Sequence, residues 1–162
     1  MKNFKLLLWV IFIQVFILNN IQFNGYINPY YYLIFILHLN PKTSKIGILL
    51  WSFILGGIID IFSYSYGLHA FASVFIAYTK IIWTSQLKIR KDTDEAIQIN
   101  QFPIAKFTIF AFYMVLIHHF ILFFLESFSL YDIFYVLKTT MLSSIFTLIL
   151  LIIHKIIIIK KI

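Results

Sequence analysis

Apolar runs separated by short polar breaks set the architecture of this chain. The first run, about 4–18, follows Lys2 and Lys5 and contains one polar group, Gln14. Asn, Gly and Pro residues then mark a loop, and Pro29 opens a second run at 29–39, since a first-turn proline forfeits no helical hydrogen bond. This run is short for a crossing. It thins the bilayer, is extended by an interfacial belt at Tyr30–Tyr32, or does not fully cross. A third run, 46–62, places Ser52, Gly56 and Asp60 at spacing i, i+4, i+8, so the three share one helix face. A fourth, 68–83, repeats the pattern with His69, Ser73, Ala77 and Lys80, small residues on such faces allowing close helix approach. The fifth, 103–125, contains His118 and His119, and the sixth, 133–153, carries Lys138 beside a Ser/Thr ladder (Thr139, Thr140, Ser143, Ser144, Thr147) read as helix-packing glue. The one plainly aqueous stretch is the loop 86–101.

Composition turns these runs into membrane spans. The 162 residues are 62% hydrophobic and 12% charged, more apolar surface than a soluble domain of this size can hide. The expected fold is all-α: one polytopic domain of about six transmembrane helices, the first retained rather than cleaved as a signal. The net charge of +7 invites a nucleic-acid interpretation, but the basic residues alternate by loop. The N-terminus, the second and fourth loops and the C-terminus are basic, whereas the first, third and fifth loops have no Lys or Arg. That alternation puts both termini and the 86–101 loop in the cytoplasm. There is no cysteine, which excludes disulfides, thiolate metal sites and cysteine nucleophiles.

This topology brings the intramembrane ionisable residues to similar depth in the outer half. They are Asp60 below the end of span three, His69 at the start of span four, His118 and His119 in span five, and Lys138 in span six. Charges in hydrocarbon pair or line a cavity, so Asp60 and Lys138 are expected neighbours in a pocket facing outward. Asp60 as a helix-end residue reaching the interface, and His69 as an interfacial or capping histidine, are the blander alternatives. Adjacent helical positions lie about 100° apart, so only one of His118 and His119 is expected to face a given neighbour. A metal site from Asp60, His69 and His118 lacks any supporting spacing, and no metal or other cofactor is expected. Ser63 and Ser65 near His69 and Asp60 match no hydrolase order, and no phosphate loop or nucleophile motif is present. Gly56, Gly57 and Gly67 are expected to serve helix packing and the turn between spans three and four.

Four stretches carry a family resemblance: LNNIQFNGYINPYYYLIFIL at 18–37, GGIIDIFSYSYGLHAFASVFIAY at 56–78, IHHFILFFLESFS at 117–129 and LKTTMLSSIFTLILLII at 137–153. The chain resembles the MreD family of rod-shape-determining membrane proteins, in its Bacteroidetes-type form. The most specific piece is the GxxxD…GxHA pattern of Gly56, Asp60, Gly67, His69 and Ala70. The resemblance implies a non-enzymatic inner-membrane scaffold that binds MreC. Through it the scaffold links cytoplasmic MreB filaments to the glycosyltransferase and transpeptidase of cell-wall elongation. It also implies a fold similar to the substrate-binding subunits of energy-coupling-factor transporters, with Asp60 and His69 at the pocket positions. A homodimer is compatible with it, and the 86–101 loop departs most from the pattern. The competing function is a small-molecule-binding subunit of a micronutrient transporter, using the same pocket.

Overall fold

The structure is a computed structural model that describes the backbone of residues 2–21, 26–40, 42–91, 99–129 and 131–159. It is helical throughout, with no β-strand among the described residues. The elements are α1 (Lys2–Phe12), continued by a π-helical turn (Ile13–Ile17) and a 3-10 turn (Leu18–Asn20), then α2 (Leu33–His38), α3 (Lys45–Ser63), α4 (Leu68–Lys91), α5 (Ile104–Ser127) and α6 (Ile133–Ile159). A further 3-10 turn, Ile99–Gln101, precedes α5. Of the 86–101 loop expected from the sequence, residues 92–98 lie outside the described residues, and α4 takes up its start.

Three helices, α3, α5 and 133–157 of α6, are long and apolar enough to cross a membrane. At 1.5 Å per residue, the 19 residues of α3 reach about 28 Å, close to a hydrocarbon core. The outer faces of the bundle are correspondingly apolar, with Phe16, Ile46, Ile61 and Phe134 all exposed. Consecutive helices pack in sequence, α3 on α4, α4 on α5 and α5 on α6, while α1 lies against α2 and α3.

The second apolar run takes a different form from the others. Only six residues are helical, about 9 Å, and 26–32 are irregular or turn. Every residue from Pro29 to Leu37 is buried. Tyr30, Tyr31 and Tyr32 are therefore core residues, not the interfacial belt that their spacing suggests. Irregular backbone at membrane depth is tolerated only where protein encloses it and satisfies its polar groups. The other elements do both here, which explains why a run too short to be a spanning helix is so uniformly apolar.

Candidate functional site

Asp60 sits on the last full turn of α3 and organises the turn into α4. Its carboxylate accepts hydrogen bonds from the backbone N–H of His69 (2.9 Å) and Ala70 (2.8 Å) and from the Ser65 hydroxyl (2.6 Å). His69 and Ala70 are the second and third residues of α4, whose N–H groups have no partner within their own helix. Asp60 thus caps α4 from the neighbouring helix and sets a negative charge at the positive end of its dipole. Gly67, just before α4, has no capping side chain and adopts φ +96°, a conformation suited to glycine. Gly56, one turn before Asp60, permits the approach. A Cβ there would lie 2.5 Å from Ala70 Cα and 2.6 Å from the His69 carbonyl oxygen. The GxxxD…GxHA pattern is thereby a closed mechanical unit of close contact, remote cap and turn. Gly57 is not part of it, because a Cβ at that position would meet nothing within 4 Å.

The expected Asp60–Lys138 pair does not form. Lys138 is exposed, with its ammonium 4.0 Å from the centre of the Tyr26 ring. Backbone donors took the place of the lysine, a partner class that sequence spacing does not display. A Ser/His/Asp relay is also absent. Asp60 binds the backbone of His69 rather than its ring, and Ser65 donates directly to the carboxylate. No group of three or more metal-ligating side chains is assembled among the described residues.

His69, His118 and His119 do come together, around Tyr30. Their ring centroids lie 5.1, 5.8 and 5.1 Å from that of Tyr30. Adjacent positions are expected to give only one of the pair any given neighbour; their hydrogen bonds do go to different partners, while both are buried and both rings stand near Tyr30. His118 Nε2 meets the Tyr32 hydroxyl at 2.8 Å. His119 Nδ1 lies 2.8 Å from the Val115 carbonyl, which can only accept, so this nitrogen carries the proton. In the neutral ring Nε2 is then an acceptor, and the Thr147 hydroxyl 3.1 Å away donates to it. The Thr147 oxygen in turn accepts from the Tyr30 N–H at 3.0 Å.

That last bond belongs to a wider scheme that the sequence did not reveal. Ser143, one turn before Thr147 on α6, accepts from Asn28 N and donates to Tyr26 O. Gln14 donates to Pro29 O (3.0 Å) and accepts from Tyr32 N (3.4 Å). Lys80, buried on α4, donates to the carbonyls of Ile36 and Leu39 at 2.8 Å each and caps the C-terminal end of α2. Groups from the π-helical turn after α1, from α4 and from α6 thus converge on the backbone of 26–39, replacing the bonds a continuous helix would supply. The Ser/Thr ladder is partly a template for this extended chain rather than only packing glue. The available signal was the mismatch between a short, proline-led apolar run and polar side chains on three other runs.

Above Tyr30 lies a cavity of about 350 Å³, walled by the π-helical and 3-10 turns that follow α1, residues 28–30, the α3–α4 turn and the end of α5. Tyr30, Ser63, His69 and Glu126 line it. Gln14 donates to Asn19 (2.9 Å) and Asn19 to Ser63 (3.1 Å), bracing the wall from α1 to α3. A second, apolar groove of about 690 Å³ runs along the outside of α3 and α4, past Phe53, Gly57, Tyr64 and Phe71. Comparison with known proteins finds no matching family model, no matching curated protein and no matching solved structure.

Proposed function

We propose that the protein is a non-enzymatic membrane scaffold of the MreD type. In this account the chain crosses the inner membrane six times, counting the buried 26–39 segment as the second crossing. Both termini lie in the cytoplasm, and the cavity opens outward. The bundle binds MreC and through it couples MreB filaments to the elongation glycosyltransferase and transpeptidase. One observation carries the non-enzymatic part. The intramembrane polar groups Gln14, Asp60, Lys80, Ser143 and Thr147 are engaged in holding backbone. A side chain whose lone pairs or protons are committed to backbone is poorly placed for acid–base or nucleophilic work, which requires reach to a substrate atom. A rigid apolar bundle with exposed outer faces suits a protein that works by holding partners.

The cavity supports a second function, the binding subunit of a micronutrient transporter. Depletion in the native cell separates the two. The scaffold account expects rod-shaped cells to become enlarged and spherical. Normal shape with loss of uptake of one micronutrient would favour transport and remove the scaffold account.

A further inference from the structure

We propose that the cavity above Tyr30 is a binding site for a small organic ammonium group. Its volume, about 350 Å³, falls at the lower end of the range typical of small-ligand pockets. Glu126 is the one formally charged side chain among the described residues lining it, and no Lys or Arg contributes. The rest of the lining includes neutral polar residues (Asn28, Ser63, His69) and the aromatic residues Tyr30 and Phe62, beside aliphatic ones such as Leu122. A carboxylate, aromatic faces and neutral hydrogen-bonding groups together are the chemistry that recognises a cationic amine. An anion entering the same space would meet a like charge and no counter-charge. His69 adds a largely buried imidazole to the wall, 5% exposed.

The walls are built to keep this shape without a guest. The Gln14–Asn19–Ser63 chain fixes the turns after α1 against α3, and the Asp60 cap fixes His69 at the start of α4. Glu126 lies outside both networks and is exposed, so its substitution changes the charge of the lining without undoing the fold. The inference stands apart from the scaffold account, since it rests on the lining and not on any partner.

The ammonium group can arrive on a free amine or as the headgroup of an aminophospholipid, and two arms separate these sources. In the first, the full chain in nanodiscs of phosphatidylglycerol alone, whose headgroup carries no ammonium, is titrated with ethanolamine and benzylamine, and separately with acetate and benzoate, while Tm is followed. In the second, phosphatidylethanolamine is introduced into the nanodiscs without added amine, and retained lipid is counted by native mass spectrometry. The amines, the aminolipid or both should raise Tm in a saturable manner, and the carboxylates should not. Glu126→Gln should leave the ligand-free Tm unchanged and weaken the apparent affinity about tenfold or more, the scale of one charge-assisted hydrogen bond. A response to the aminolipid alone assigns the site to a headgroup, and a response to soluble amine alone assigns it to a free ligand. No response in either arm, equal response to carboxylates, or an undiminished response in Glu126→Gln would overturn the proposal.

Discussion

Removing the Asp60 carboxylate should unfasten the α3–α4 hairpin. The side chain is 7% exposed and meets three donors, the His69 and Ala70 N–H groups and the Ser65 hydroxyl. Ser65 can turn its hydroxyl elsewhere, so the loss in Asp60→Ala is concentrated in the two backbone groups. Each hydrogen bond to a charged group is worth roughly 1.5–3 kcal/mol, which places the substitution at about 3–6 kcal/mol. Asp60→Asn keeps one carbonyl oxygen but turns an NH2 toward an N–H donor, so it should fall between, near 2–3 kcal/mol. The assay is reversible unfolding in mixed micelles, titrating the denaturing detergent and following Trp fluorescence. A double-mutant cycle with Lys138→Met completes it. Because Lys138 sits over Tyr26 and not beside Asp60, the two changes should add within about 0.5 kcal/mol. An Asp60→Ala protein within about 1 kcal/mol of the parent would refute the remote cap. A coupling energy above 1 kcal/mol would restore the ion pair that the sequence suggests.

Four further outcomes follow from the packing and hydrogen bonds described above. Gly56→Ala forces α3 away from the backbone of α4, since its Cβ would stand 2.5 Å from Ala70 Cα, and should cost about 1–3 kcal/mol or more. Gly57→Ala, with nothing within 4 Å, should be neutral or stabilise by up to about 1 kcal/mol, and the same unfolding titration checks both. Lys80→Met leaves the Leu39 carbonyl without its side-chain donor and the Ile36 carbonyl with only the 3.4 Å bond from Leu39 N, and should destabilise by about 1.5–3 kcal/mol, with faster proteolysis in the 26–39 segment as a second measure. Thr147→Val orphans the Tyr30 N–H and should cost about 1–3 kcal/mol, whereas Thr147→Ser should be nearly silent.

Helical elements were legible because lipid-facing and core-facing positions are both apolar, so long runs stand out. The run at 46–62 is covered by α3, Lys45–Ser63, and that at 103–125 largely by α5, Ile104–Ser127. The second run was harder, since a buried irregular segment and a short spanning helix have the same hydropathy. What separates them is where backbone hydrogen bonds end, and Gln14, Lys80, Ser143 and Thr147 supply them from far along the chain. Asp60 and His69 were identifiable as unusual from charge and position alone. Their relation was not, because a carboxylate capping a neighbouring helix leaves no mark of spacing, whereas a lysine elsewhere in the membrane offers an obvious but incorrect partner. His118 and His119 follow one-helix geometry in their hydrogen bonds, which go to different elements, 26–32 in one case and α6 in the other.

Affinity purification of the tagged full-length chain from its native membrane in mild detergent, followed by mass spectrometry, tests the central proposal most directly. The scaffold account predicts that MreC co-purifies in near-stoichiometric amount, accompanied by the elongation glycosyltransferase and transpeptidase. Recovery of the intact bundle without MreC or either synthase would contradict it.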